Sequence, residues 1–339
     1  MTPRWRPLPR SGGPRPPDAL VLAGGPLWFN EVAFHDAGRE PRLRPAAELP
    51  PAVREALTAP RPPVAGLSLD RPRIMGILNV TPDSFSDGGE HFAFDHAVAR
   101  ARAMLDEGAD ILDIGGESTR PGAEPVAPEA EAARVVPVIA ALRAAGIAAP
   151  VSIDTRNPEV AEAAFAAGAD LWNDVAALGH ARASLTVAAA SGRPVCLMHA
   201  KGDPRTMQDA PTYEDVLLEV TDFLAARVDA AEAAGIPRGT ILVDPGIGFG
   251  KTVAHNLALI RGLAVLHGLG CGLLFGASRK RFIGSVAGAP VAADRVAGSL
   301  AVALEALRQG AQVLRVHDVK ETRQAVDLWS ALNGSGDQE

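Results

Sequence analysis

The sequence predicts an α/β chain built as a (β/α)8 barrel of the TIM type, preceded by an N-terminal extension. From Arg73 onward, eight short apolar runs alternate with eight Ala/Leu-rich amphipathic stretches. Several of those stretches open on a helix start signal, such as Asn157-Pro158, and several close on glycine, at Gly108, Gly146, Gly168, Gly192, Gly235 and Gly310. Each apolar run also ends in a polar or charged residue. Regular strand–helix alternation of this length belongs to a closed parallel barrel; an open doubly wound sheet rarely needs eight such units.

The expected strands are Ile74–Leu78, Ile111–Gly115, Val151–Ile153, Asp170–Trp172, Val195–Met198, Ile241–Val243, Gly272–Phe275 and Val313–Val316. The expected helices are Asp95–Glu107, Pro128–Ala145, Pro158–Ala167, Ala181–Ala190, Tyr213–Ala234, Val253–Leu266, Ala292–Arg308 and Lys320–Leu332. The barrel should therefore occupy residues 71–333. Residues 1–19 are rich in Pro, Gly and Arg and are expected to be disordered. Residues 20–70 read as an appended segment, with a hairpin within Leu20–Phe34 around Gly24-Gly25 and a short helix at Ala52–Thr58. Residues 334–339 read as a disordered tail.

Composition excludes several classes of protein. Of 339 residues, 40 are acidic and 33 basic, a net charge of −7, so there is no basic field for nucleic acid. No apolar run reaches the ~18 residues of a membrane span. The Arg-containing start has no apolar core of a secretory signal, and the expected compartment is the cytoplasm. The two cysteines, Cys196 and Cys271, lie in or beside strand-like runs and read as buried thiols.

In a barrel, the carboxyl ends of all strands meet at one mouth. The residues delivered there are Asn79, Glu117-Ser118-Thr119-Arg120, Asp154, Asn173-Asp174, His199, Asp244, Ser278-Arg279-Lys280, and Arg315 with His317. A lone polar residue after a strand is a cap or turn former, but eight in succession share no structural task. Asp154, Asn173 and Asp244 are short acceptor or mixed groups suited to the N–H edge of a flat heterocycle. Lys280, Arg315 and His317 are donors suited to an anion, best a phosphate or diphosphate. Arg315 and His317 alternate along one strand and share a face. Asn79 brings an amide oxygen near that anion, which matches Mg²⁺ held mainly by substrate phosphate and water. The loop Thr81–Gly89, with Pro82, Phe85 and Gly88-Gly89, follows the first strand as a polar functional loop.

Two glycine-rich patterns in Gly246–Thr252 fail as nucleotide loops: Pro245 stands where the Walker pattern needs Gly, and Lys251 where the dinucleotide pattern needs its third Gly. These glycines read as a flexible turn that lets Phe249 fold over the mouth. His91, His96, His180, His255 and His267 lack metal-ligand spacing and read as exposed.

Together these residues resemble dihydropteroate synthases. The resemblance runs from about Arg73 to Leu332 through GILNVTPDSFSDGG (Gly76–Gly89), DIGGESTRPGA (Asp113–Ala123), SIDTRNPEVA (Ser152–Ala161), LWNDV (Leu171–Val175), LMH (Leu197–His199), DPGIGFGK (Asp244–Lys251), SRK (Ser278–Lys280) and RVHDV (Arg315–Val319). It implies the same barrel and the condensation of 6-hydroxymethyl-7,8-dihydropterin diphosphate with 4-aminobenzoate to give 7,8-dihydropteroate and pyrophosphate. Carried over position by position, the pterin contacts fall on Asp154, Asn173, Asp244 and Lys280. The diphosphate contacts fall on Thr119, Arg315 and His317, and the Mg²⁺ ligand on Asn79. The aminobenzoate pocket falls on Phe85, Thr119, Pro121, Phe249, Lys280 and Ser278. Asp154, Asp244, Lys280, Arg315 and His317 are the implied catalytic set. The family is a sulfonamide target and commonly a homodimer through barrel helices. One departure is Ala200-Lys201-Gly202 after LMH, where the family usually continues Met-Gln-Gly. Two other readings compete. A pterin-binding methyltransferase barrel has no diphosphate to grip, and a non-catalytic pterin-binding scaffold has no need of the intact Asn79–Gly89 loop.

Overall fold

The structure, a computed structural model, describes residues 1–80, 89–117, 126–202, 207 and 209–333, and only the backbone of 89–94. The expected tail at 334–339 lies outside the described residues.

The N-terminal segment differs from the expectation of a disordered tail. It holds strands β1 (Arg4–Pro7), β2 (Leu20–Val21), β3 (Trp28–Phe29), β4 (Glu31–His35) and β5 (Arg42–Pro45), then helix α1 (Pro51–Thr58). β1, β4 and β5 form an antiparallel sheet, and β2 and β3 a separate two-stranded ladder. Proline opposes a helix at residues 1–19 but not an edge strand. β1 pairs with β4 alone, its Trp5 ring 4.7 Å from Phe34. Composition alone overlooks the anchor that Trp5 provides.

The barrel follows: β6 (Arg73–Asn79), α2 (Gly89–Asp106), β7 (Ile111–Gly115), α3 (Pro128–Ala144), β8 (Val151–Asp154), α4 (Pro158–Ala167), β9 (Leu171–Asp174), α5 (Ser184–Ser191), β10 (Val195–Met198), α6 (Val216–Ala233), β11 (Ile241–Asp244), α7 (Val253–Gly262), β12 (Gly272–Phe275), α8 (Arg281–Ala287), α9 (Val296–Arg308), β13 (Val313–Val316) and α10 (Val319–Asn333). β6 through β13 close into one parallel barrel, with β13 paired to β6. Helix ends depart from the expected bounds for local reasons. α6 starts at Val216 rather than Tyr213 because the Asp215 carboxylate accepts from the Leu217 and Leu218 N–H groups at 3.0 Å. The seventh unit holds two helices, since Gly288 ends α8 in the left-handed region, with φ 68°. Asn157 precedes α4, but its side chain does not cap the helix; its amide donates to buried Glu131 at 2.7 Å.

Two layers fill the barrel. Met75, Ile111, Leu171, Cys196, Leu242, Leu274 and Val313 form a lower apolar layer with Val64 and Leu69 from the extension. Side chains two residues apart on a strand share a face. The layer above is therefore Ile77, Asp113, Asn173, Met198, Asp244, Gly276 and Arg315, joined by Asp154 on β8. On β7, β9, β11 and β13 the change from apolar to polar takes place within two residues along the strand, and it sets the base of the mouth. Both cysteines are buried, as expected. His267 is not exposed: it is fully buried, and its Nε2 lies 3.0 Å from the Gln309 carbonyl. Its place beneath the extension, beside Arg61, was not visible from spacing. Among the described residues no single helix is long and apolar enough to cross a membrane.

Candidate active site

The centre of the upper layer is a charged cluster. Arg315 Nε donates to Asp113 Oδ2 at 2.6 Å, and its Nη2 to Asp154 Oδ2 at 2.5 Å. Asn173 lies beside Asp154 in register, and its amide donates to Asp113 Oδ2 at 3.3 Å. Asp244, across the barrel, accepts from the Gly246 N–H at 2.7 Å. Gly276 leaves room between them: a Cβ there would lie 3.6 Å from both Asp244 Oδ2 and the Arg315 side chain.

The second oxygens of Asp113 and Asp154 are buried and have no hydrogen-bond partner among the described residues. An orphaned buried carboxylate oxygen is costly in a folded chain unless a ligand supplies its donor. Burial raises the Asp154 carboxyl to about 7 against the pull of Arg315. It raises Asp244 to about 6 against the Gly246 N–H and Lys280. Burial opposes the Arg315 cation, but Asp113 and Asp154 outweigh it and raise its pKa. Arg315 thus does more than wait for an anion; it holds two of the acids in place.

The donor side is equally fixed. Lys280 is half-buried with Nζ 3.8 Å from the Phe249 ring centre, and burial lowers it to about 7. It is not part of a solvated charge run, because its neighbour Arg279 turns the other way and pairs with Asp318 through Nε at 3.0 Å and through Nη2. Arg279 sits in the left-handed region at φ 58°. Its amide bonds to Ser299 Oγ at 2.9 Å, and its carbonyl accepts from Arg295 at 2.9 Å. Ser278 Oγ accepts from the His317 N–H at 3.1 Å and lies 3.0 Å from its ring Nδ1. This joins the strand ends of β12 and β13 at the rim.

The structure therefore brings Asp154, Asn173, Asp244, Lys280, Arg315, His317, Ser278 and Phe249 to one mouth. Thr119, Pro121 and Phe85 lie outside the described residues. Asn79 is exposed at the end of β6, and among the described residues no group of three or more His, Cys, Asp or Glu could hold a metal ion. One exposed amide without a protein cage fits Mg²⁺ carried mainly by substrate phosphate and water. Sequence reasoning missed Asp113. The available signal was a carboxylate in the middle of the apolar run Ile111–Gly115. Asp174, next to Asn173, faces away and holds the following turn, accepting from Ala176 and Leu178 N–H at 2.7 Å. The departure at Ala200-Lys201 is pinned outward: Lys201 donates to the Thr212 carbonyl at 2.6 Å and lies 4.2 Å from the Tyr213 ring.

The pterin binding enzyme family matches residues 75–317. The dihydropteroate synthase of Escherichia coli K12 is 48% identical over 265 residues, 78% of this chain and 93% of that protein. The chain belongs to the dihydropteroate synthase family. Among solved structures, the Xanthomonas albilineans dihydropteroate synthase with 4-aminobenzoic acid superposes with a TM-score of 0.75 at 52% identity, covering 81% of this chain and 98% of that one. The same organism's enzyme in complex with 7,8-dihydropteroate gives 0.72 at 49% identity, covering 80% and 98%. The family match begins at Met75, so the sheet and hairpin of the extension lie before it.

Proposed function

We propose that this member of the family condenses 6-hydroxymethyl-7,8-dihydropterin diphosphate with 4-aminobenzoate, releasing pyrophosphate. The observation that carries the reading is the pair of orphaned carboxylate oxygens on Asp113 and Asp154, set beside Asn173 and Asp244. A ring presenting several N–H donors in one plane satisfies them; a ligand without those donors leaves them unpaired. The pterin edge lies against Asp113, Asp154, Asn173 and Asp244, with Lys280 beside it. When diphosphate departs, positive charge spreads from the exocyclic methylene into the ring, and Asp154 and Asp244 stabilise it. Arg315 and His317 stabilise the leaving diphosphate. Mg²⁺, held by Asn79 with substrate phosphate and water, supplies further charge neutralisation when bound. The arylamine, neutral at pH 7, attacks from the Phe249–Lys280 side, where Ser278 stands at the rim, and needs no strong general base; the family resemblance assigns Thr119, Pro121 and Phe85 to the same pocket. Water competes for the same cation, so the reaction depends on keeping it from the site.

The deciding experiment measures pyrophosphate release with Mg²⁺ present. Release is expected only when both substrates are supplied; absence of release under every condition leaves a binding protein. The proposed partner is a second copy of the chain, in the cytoplasm. Supporting it, Val286, Val291, Leu328 and Leu332 stand exposed on or beside α8 and α10. Sedimentation of Leu328→Glu/Leu332→Glu is expected to give monomer where the unaltered chain gives dimer.

A further inference from the structure

The glycines of Gly246–Thr252 were expected to form a flexible turn, yet this loop is fastened at both ends. Gly246, Gly248 and Gly250 all have positive φ, at 65°, 82° and 61°. A Cβ on Gly246 would lie 1.8 Å from the His199 carbonyl oxygen, and one on Gly250 would lie 2.2 Å from that of Lys201. The loop therefore lies directly on the backbone leaving β10. The side chain that holds it there is Lys251, only 3% exposed. Its Nζ donates to the Gly246 carbonyl at 2.8 Å and the Phe249 carbonyl at 3.0 Å, and lies 2.9 Å from His199 Nδ1. His199 is kept neutral, its pKa lowered to about 3 by burial and then by Lys251. Burial lowers Lys251 to about 7; its Nζ still carries the protons, and the neutral ring accepts through Nδ1. On the other side of the loop, Asn256 Oδ1 accepts from the Gly248 N–H at 2.7 Å, and the Tyr213 hydroxyl donates to the Gly250 carbonyl at 2.9 Å.

We infer that Lys251 is a positioning residue: by tying the Gly246 and Phe249 carbonyls to His199, it fixes the Phe249 ring against Lys280 and so sets the width of the aminobenzoate pocket. Lys251 is itself no substrate contact, because its ammonium is spent on loop acceptors behind the mouth. The inference rests on the proposed placement of 4-aminobenzoate between Phe249 and Lys280. Removing the amine leaves the Phe249 carbonyl and an imidazole nitrogen without this donor and the Gly246 carbonyl with only the Phe249 N–H, at 3.1 Å, and the loop segment bearing Phe249 relaxes outward. The pterin contacts lose less: Asp113, Asp154 and Arg315 belong to other strands, and Asp244 is held in register on β11 and by the Gly246 N–H.

The test uses the full-length chain with Lys251→Met, which keeps the aliphatic stem. The KM for 4-aminobenzoate is expected to rise about tenfold, while kcat at saturation and the KM for the pterin diphosphate stay within about threefold. Amide exchange at Gly248–Gly250 is expected to quicken by about tenfold or more. An unchanged KM for 4-aminobenzoate, or a fall in kcat with that KM unaltered, overturns the inference. If Lys251→Met does not fold, His199 decides: His199→Leu should raise the same KM by about threefold, and His199→Asn, which retains an acceptor, should not. Equal values for the two overturn the inference. Exchange is read without substrate, so protected amides in Lys251→Met sink the clamp even if the unaltered chain shows no turnover. Quickened exchange with an unmoved KM instead places 4-aminobenzoate elsewhere.

Discussion

The two ends of the barrel solve the same problem in opposite ways. At the floor, Arg73 is buried against Asp110: Nη1 donates to Oδ1 at 3.2 Å, Nε to the Ser68 carbonyl at 2.7 Å, and Nη2 to Ser68 Oγ at 2.6 Å. The other oxygen of Asp110 accepts from the Ile74 N–H at 2.8 Å and from Arg323 at 2.7 Å. At the mouth, Arg315 is buried against Asp113 and Asp154, but one oxygen of each acid has no partner among the described residues. Both ends place arginine against aspartate at the end of the first or last barrel strand. Only the floor is complete. A satisfied network supports the fold, and one left open at fixed points is arranged for a ligand.

The sharpest way to break this contrast is to damage the floor. Asp110→Ala strands Arg73, whose side chain is 6% exposed, and removes the acceptor for Arg323. Losing one partner of a buried pair costs about 3–5 kcal/mol. Chemical denaturation should show a loss of that size, with kcat/KM of the folded fraction unchanged. The mouth should respond the other way. Asp244→Asn keeps the shape and the acceptor for Gly246 but removes the charge that faces the pterin cation. Turnover should fall by at least ~10² while the melting temperature holds or rises. Near-normal turnover would remove Asp244 from the site.

The barrel was legible because its signals are local and repeat. Apolar runs of three to five residues between helices that often end on Gly have few other solutions, and the polar residue after each run marks the mouth. Asp154, Asn173 and Asp244 could be sorted from Lys280, Arg315 and His317 by donor character alone. What stayed hidden depends on contacts across the barrel. Asp113 looked like part of a strand until Arg315, far along the chain, was found against it. Lys251 looked like a failed nucleotide motif until His199 was placed beside its amine. The N-terminal strand escaped because proline-rich composition reports on helix formation, whereas Trp5 and β4 decide whether an edge strand docks.

That strand offers a milder test, since it belongs to neither end's charged network. Arg4 donates to Asp222 on α6 at 2.8 Å, and Arg6 to the Arg261 carbonyl at 3.2 Å. Deleting residues 1–10 exposes Phe34 and leaves β4 without one neighbour. A loss of about 2 kcal/mol is expected from the apolar area uncovered around Trp5. Turnover per folded molecule should not change. A change in kcat larger than about threefold would mean that the extension reaches the mouth through the barrel helices.

The smallest effect concerns pH, and it separates the two ends without large structural damage. Burial raises Asp244 from its ordinary 3.8 to about 6. Between those values the folded chain keeps a proton that the unfolded chain has released. The stability this group contributes is therefore complete below about pH 4 and lost as pH rises through 6. Lys280 is displaced in the other sense, from 10.5 to about 7, so the folded chain gains stability as pH rises from 7 toward 10. The ligand-free mouth is thus least stable close to neutrality, where Asp244 and Lys280 are most fully charged together. That same state is the one that binds a donor-rich ring and an anion, so kcat/KM should peak near pH 7 and fall on both sides. The melting temperature of the unaltered chain minus that of Asp244→Asn should drop by about 2–4 °C from pH 4.5 to 7.5. A flat difference would mean that Asp244 stays ionised throughout that range, and the mouth would then be as well satisfied as the floor.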